Sequence, residues 1–168
     1  AINIGEQANM PVEISHFKIS SKALWGKTST TIGLVEAARK RGLSVTVDQY
    51  AYPASSTSLD SRLSSCAIAG CCEEGKKRMA DPATRKKVAD EIKEDLKKKD
   101  FKDLSFAYVA SYRTDPKFNG KNIKEITKIA RGKDSLDSQI EQMIEMYEKG
   151  GAQMVYQVMN EGDVQSIM

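Results

Sequence analysis

Two short apolar runs near the start of the chain enclose a stretch with helical spacing. The runs cover residues 12–17 (VEISHF) and 43–47 (LSVTV), and both have the length of buried strands. Between them, apolar positions recur with the 3.6-residue period of a helix at Ile32, Val35 and Ala38, and Leu34 widens that stripe. Thr28 or Ser29 is predicted to cap this helix, which ends near Arg41. A strand, a helix and a strand joined by short loops predict a βαβ unit with two parallel strands.

The pattern changes after Pro53. Residues 54–58 (ASSTS) are predicted to form a polar loop, and residues 59–149 are mostly amphipathic helix. Helix caps are expected at four polar residues that precede helical stretches: Asp81, Asn122, Ser135 and Asn160. Residues 104–112 are predicted to form an isolated strand, and residues 154–158 a further one.

The predicted fold class is therefore α/β with a largely helical insertion. We divide the chain into residues 1–58, which hold the βαβ unit, the insertion at 59–149, and a returning strand and helix at 150–168. Both chain ends fall inside predicted helices. We therefore expect the chain to be a segment of a larger protein.

Charge and composition exclude several classes of partner. The chain has 168 residues, with 26 basic and 23 acidic side chains and a net charge of +3, so we expect neither nucleic acid nor a membrane as partner. No apolar run is long enough for a transmembrane helix, and the first residues do not resemble a signal peptide. Three cysteines, Cys66, Cys71 and Cys72, do not form a disulfide framework, so we expect a reduced, cytoplasmic protein.

Four polar side chains lie at the carboxyl ends of the two predicted strands of the βαβ unit. His16, which is the only histidine, and Lys18 lie at the end of the first strand, and Asp48 and Tyr50 lie at the end of the second. Ligands of parallel α/β proteins bind at these strand ends. Each of these residues also has an interpretation without a functional role. A lone histidine is usually structural, a lysine is usually solvated, and a tyrosine at a strand end is often half-buried by packing. A single imidazole is also short of the three or four protein ligands that zinc normally takes.

Three motifs in this region resemble one family. PVEISHFK, WGK and VTVDQYAYPASSTSL follow one another within about 45 residues. Together they are similar to the N-acyl-D-amino-acid deacylases, or D-aminoacylases, of the amidohydrolase superfamily. The resemblance implies a (β/α)8 TIM barrel in which this chain supplies strands six and seven, the helix between them and the helical insertion. The strand-one His-x-His, the metal-bridging residue, the strand-five histidine and the strand-eight aspartate of the family are absent here.

The resemblance also implies roles for individual residues. His16 would be a metal ligand, and the substrate would contact Lys18, Tyr50, Ser55 and Ser56. Zinc or another divalent metal would be the cofactor of the intact enzyme, with none expected on this chain alone. The implied reaction is hydrolysis of the amide bond of N-acyl-D-amino acids. We expect no catalytic residue within the chain and no activity from the isolated chain.

Two other functions stay open at this point. One is a different amidohydrolase of the dihydroorotase or hydantoinase type. The other is a non-catalytic helical interaction module, since most of residues 59–149 is amphipathic helix. In either case an excised βαβ unit exposes sheet edges and apolar faces, so self-association of the chain is a further hypothesis.

Overall fold

The computed structural model describes residues 1–63 and 72–168 and divides the chain into two units. Unit 1 contains residues 1–54 and 158–168, and unit 2 contains residues 55–157. Cys66 and Cys71 lie outside the described residues, and the side chain of Cys72 is not described either. The predicted cysteine chemistry therefore falls outside the described part of the chain.

Twelve helices and strands are found among the described residues. In chain order they are α1 (Ile2–Ala8), β1 (Val12–Ile14), α2 (Thr28–Lys40), β2 (Val45–Val47), β3 (Ala54–Ser58), α3 (Cys72–Met79), α4 (Pro82–Lys98), β4 (Ala107–Ser111), α5 (Ile123–Arg131), α6 (Leu136–Glu148), β5 (Gln153–Gln157) and α7 (Glu161–Ile167). Single 3-10 turns cover Lys22–Leu24, Leu59–Arg62 and Pro116–Phe118. The chain is thus a mixed α/β structure.

Unit 1 is built on the predicted βαβ unit. β1 and β2 pair in parallel, with Val12 opposite Val45 and Ile14 opposite Val47, and α2 connects them. This pairing confirms the parallel βαβ prediction. Both strands are shorter than predicted, because the chain turns after Ile14 and the second strand begins only at Val45.

The core of unit 1 joins one face of α2 to the two strands. Its buried members are Val12, Val35, Ala38 and Val45. Leu34, expected to widen the buried stripe of α2, is 61% exposed, so the stripe is narrower than predicted. α1 packs against β1 through Gly5, where any side chain would collide with a methyl group of Val12. Glycine at position 5 is therefore required by this close approach.

Unit 2 contains a three-stranded sheet in the order β3, β5, β4. β4 and β5 are antiparallel, with Ala107 opposite Tyr156 and Val109 opposite Met154. The strand predicted at 104–112 is thus not isolated. The predicted polar loop at 54–58 is wrong, because these residues form β3 of the same sheet. The hydroxyl side chains of β3 do not show the alternation of apolar and polar residues that indicates a strand. The backbone of β3 pairs with β5, which lies about 100 residues later.

The helices of unit 2 bury the stripes that the sequence predicted. α4 buries Val88, Ile92 and Leu96, and Asp81 caps it by accepting a hydrogen bond from the Thr84 amide at 2.8 Å. α6 is buried over most of its length and includes a polar residue, Gln139, that is 1% exposed. The Gln139 amide accepts from the Leu104 backbone at 2.9 Å and donates to the Asp134 carbonyl at 2.7 Å. Both ends of this buried amide are therefore satisfied.

Replacing Asn122 with alanine is expected to destabilise unit 2 by about 1–2 kcal/mol. Asn122 is 7% exposed and forms the predicted capping box, accepting from the Glu125 amide while the Glu125 carboxylate accepts from the Asn122 amide. Urea unfolding would measure the loss, with Lys128→Ala on the exposed side of α5 as the control. Equal unfolding midpoints for the two variants would contradict the role of the cap.

None of the helices in the described part of the chain has the length and apolar character needed to cross a bilayer.

Candidate functional site

The ends of β1 and β2 are tied together by hydrogen bonds around Asp48. The Asp48 amide donates to the Ile14 carbonyl at 3.3 Å, and the Asp48 carbonyl accepts from the Phe17 amide at 2.7 Å. The Asp48 carboxylate accepts from the His16 amide at 2.7 Å. The turn after β1 is thus fixed to the residue that follows β2. Both strands end level with each other, so their polar successors meet at one edge.

The turn favours the ionised form of the Asp48 carboxylate. The His16 amide and the Ser15 hydroxyl both donate to the Asp48 carboxylate and lower its pKa below the ordinary aspartate value. Lys18 adds a smaller electrostatic contribution in the same direction. Asp48 is therefore an ionised acceptor that organises the backbone beneath His16.

His16 is exposed at the edge where the two strands end. Its backbone has φ of 59°, in the left-handed region that is uncommon outside glycine but that histidine adopts more readily than most residues. The hydrogen bond to Asp48 stabilises this conformation. The imidazole ring stacks on Tyr50 with 5.3 Å between ring centroids. The ring is therefore oriented by an aromatic neighbour and is not buried among aliphatic side chains.

Lys18 joins the same cluster. Its ammonium group lies 4.6 Å from the centroid of the Tyr50 ring and donates to the His16 carbonyl at 3.1 Å. Partial burial lowers the pKa of Lys18 below the ordinary lysine value, while the nearby Asp48 charge opposes that shift. A lysine ammonium has three N–H donors, so two remain for other acceptors. The cluster thus carries a positive charge beside the imidazole.

The structure brings together three of the five predicted site residues: His16, Lys18 and Tyr50. His16 was expected within a strand covering residues 12–17, whereas β1 ends at Ile14 and residues 15 and 16 form a turn. Ser55 and Ser56 belong to unit 2, where they lie on β3. Their predicted contact with substrate stays a prediction.

Within residues 1–63 and 72–168, no three His, Cys, Asp or Glu side chains converge as a metal-binding group. One oxygen of the Asp48 carboxylate accepts from the His16 amide of the turn. His16 by itself is suited to contribute one imidazole ligand. The donor set present therefore fits a metal centre to which other residues would add the remaining ligands.

Sequence reasoning missed one residue of this region, Asp163. Its carboxylate is 3% exposed and accepts hydrogen bonds from the Gly26 amide and the Thr28 hydroxyl. Asp163 also lines the small cavity behind Lys18 and Tyr50. The only signal in the sequence was its place three residues after the helix cap Asn160. Its contact with Gly26 could not be predicted, because the two residues are 137 positions apart.

The known proteins to which this chain is similar are deacylases of N-acyl-D-amino acids. An N-acyl-D-glutamate deacylase from Alcaligenes xylosoxydans xylosoxydans is 38% identical over 56 residues, which are 33% of this chain and 12% of that protein. A D-aminoacylase, described as defining a novel subset of amidohydrolases, is 25% identical with a TM-score of 0.60, and the match covers 99% of this chain. The resemblance to the N-acyl-D-amino-acid deacylases is confirmed.

A further deacylase shares the fold. The structure of N-acyl-D-glutamate deacylase from Bordetella bronchiseptica, complexed with zinc and a phosphonate inhibitor, has a TM-score of 0.63 at 19% identity. This chain spans about a quarter of the D-aminoacylase and of the Bordetella deacylase, at 25% and 26% of their lengths. No family model matches the chain.

Proposed function

We propose that this chain is a segment of a metal-dependent deacylase that hydrolyses the amide bond of N-acyl-D-amino acids. Unit 1 would supply strands six and seven of a (β/α)8 TIM barrel, with β1 and β2 as those strands, and the whole protein would be cytoplasmic. One observation carries the proposal: His16, Lys18 and Tyr50 converge at the carboxyl end of two parallel strands. Catalytic groups of barrel enzymes lie at that end.

His16 would hold one coordination position of a divalent metal, with zinc as the first candidate. The bound metal would supply Lewis acidity and lower the pKa of a bound water. The chain itself contributes the orientation of the imidazole. Stacking on Tyr50 limits rotation of the ring, and the Asp48 contact fixes the backbone that carries it. Such support from surrounding residues holds metal ligands in productive geometry.

Lys18 and Tyr50 would bind the substrate carboxylate. Two of the three N–H groups of the Lys18 ammonium can donate to a substrate. The position of the ammonium over the Tyr50 ring holds it beside the imidazole. With Lys18 at the substrate carboxylate and the metal held by His16 at the amide, an N-acyl amino acid would be oriented between the two residues. The hydroxyls of Ser55 and Ser56 would provide further hydrogen bonds to the substrate.

The direct test is an assay of the full-length protein with N-acetyl-D-glutamate and other N-acetyl-D-amino acids, each beside its L-enantiomer. We expect release of the free D-amino acid, loss of activity after dialysis against a chelator, and recovery when zinc is added back. An interaction module would release no amino acid, and a hydantoinase-like enzyme would instead open cyclic amides. Hydrolysis unaffected by complete metal removal would contradict the proposal.

Replacing Lys18 with alanine in the full-length protein is expected to raise KM about tenfold or more while kcat changes less, because a charge-assisted hydrogen bond to the carboxylate is lost. Steady-state kinetics would measure both constants. The control is Lys22→Ala, which removes the same charge four residues away at an exposed position.

The substrate offers a second control for the same role. An N-acyl-D-amino-acid amide has no carboxylate, so Lys18→Ala should alter its KM little. If the variant weakens the amide and the free acid equally, Lys18 does not recognise the carboxylate.

A further inference from the structure

A buried carboxylate holds the loop that follows the candidate site. Both oxygens of Asp163 lie 3.0 Å from the Gly26 amide, and one accepts from the Thr28 hydroxyl at 3.2 Å. Asp163 is 3% exposed and Thr28 is 4% exposed. Hydrogen bonds to a buried charged group are among the stronger ones in proteins. The contact therefore fixes residues 25–28, here called the Trp25–Thr28 loop.

The same carboxylate lies beside a helix N-terminus that has no side-chain cap. Among the described residues, α2 begins after Lys27, whose side chain makes no capping hydrogen bond, so Thr28 and Ser29 do not cap it as predicted. The first amides of a helix need acceptors, and its N-terminus favours negative charge. Asp163 lies beside that N-terminus through its contacts with Gly26 and Thr28. A residue from the last helix thus stabilises the start of α2.

The segment that carries Asp163 also backs the candidate site. The Trp25 indole donates to the Val158 carbonyl at 3.1 Å, which gives the loop a second attachment to this segment. Met159, Asp163 and Val164 face Lys18 and Tyr50 across a cavity of about 10 Å³. So small a space has at most the volume needed for one water. The start of α7 is therefore packed directly behind the cation and the aromatic ring.

We propose that Asp163 is a positioning residue for substrate binding. It holds the Trp25–Thr28 loop and keeps α7 in place behind Lys18 and Tyr50. Loss of its charge frees the loop and loosens the support of both side chains. This role rests on the proposed function, because Lys18 and Tyr50 are its substrate contacts. The anchoring of the loop is tested without any enzymatic reaction.

The single tryptophan of the 168-residue chain reports on the loop. In Asp163→Asn we expect Trp25 emission to move to longer wavelength and acrylamide to quench it more strongly. Thr28→Val removes only one of the hydrogen bonds, so it should change both readouts in the same direction by a smaller amount. Thr28→Val also keeps the test decisive if Asp163→Asn unfolds by circular dichroism.

The matched control is Glu161→Gln, which removes a charge from the exposed start of the same helix. We expect it to leave Trp25 emission unchanged. Wild-type emission and quenching in folded Asp163→Asn would overturn the anchoring of the loop. Equal changes in Asp163→Asn and Glu161→Gln would overturn it too, because the effect would then belong to the helix as a whole.

Kinetics of the full-length protein test the positioning role. Asp163→Asn should raise KM about tenfold, as expected for the loss of a charged hydrogen bond, with kcat nearly unchanged. A purely structural role would lower the amount of active enzyme, and hence apparent kcat, without changing KM. An unchanged KM in an active variant would overturn the role. A wild-type protein without deacylase activity would refute the proposed function and this role with it, while Trp25 fluorescence would still decide the anchoring of the loop.

Discussion

Replacing His16 with alanine in the full-length protein is expected to lower kcat/KM for N-acyl-D-amino acids by more than about 100-fold. The imidazole would be one of the few protein ligands of the metal, and loss of a ligand weakens both metal binding and the activation of water. Bound zinc should fall in parallel. Elemental analysis of the purified protein and steady-state kinetics would measure the two effects.

A second variant separates the ligand from the aromatic ring. His16→Phe keeps a ring that can stack on Tyr50 but has no nitrogen, so it should lose metal and activity as fully as His16→Ala. Glu13→Gln is the control, because it alters another potential metal ligand three residues earlier at an exposed position. Full zinc content and activity in His16→Phe would show that the ring acts only through packing.

Replacing Ile144 with alanine should destabilise unit 2 by about 3–4 kcal/mol, because it leaves a cavity in a fully packed region. Ile144 lies on α6 and is 0% exposed. Its neighbours on the same helix, Ile140 and Met143, are each 1% exposed, so little space exists for the core to collapse into the cavity. Urea unfolding followed by far-UV circular dichroism would give the change in free energy.

The chain offers a matched control for this substitution. Ile129 on α5 is 56% exposed, so Ile129→Ala removes the same atoms and should cost less than about 1 kcal/mol. Similar losses in the two variants would mean that α6 is not the buried helix of unit 2. An unchanged m-value would show that the substitution changes stability and leaves the surface exposed on unfolding the same.

Local signals predicted the parts of the fold that depend on neighbouring residues. Contacts within a helix span three or four positions, so two features could be predicted from the sequence: the stripe of Val88, Ile92 and Leu96, and the capping box at Asn122. The βαβ unit was readable because β-branched runs flank one amphipathic helix. In each case the residues that determine the structure lie within a short window of sequence.

Other features were missed because their partners lie far along the chain. β3 consists of small, mostly hydroxyl-bearing residues and forms a strand by pairing with β5. Thr28 or Ser29 was expected to cap α2, whereas the structure gives this helix no side-chain cap and places the distant Asp163 carboxylate on the Gly26 amide and the Thr28 hydroxyl. For the candidate site, the sequence indicated His16, Lys18 and Tyr50 as residues but not the turn around Asp48 that brings them together.

The division of unit 1 into two pieces has a consequence for biosynthesis. Residues 1–54 leave the ribosome before unit 2, but residues 158–168, including Asp163, follow only after the whole of unit 2. The contiguous unit 2 can fold as it emerges, because domains generally fold as units during translation. Asp163, which accepts from the Gly26 amide and the Thr28 hydroxyl at the start of α2, is therefore synthesised only after unit 2. Nascent chains stalled before residue 158 should therefore keep the first β-strands sensitive to protease, and those extended beyond it should gain protection.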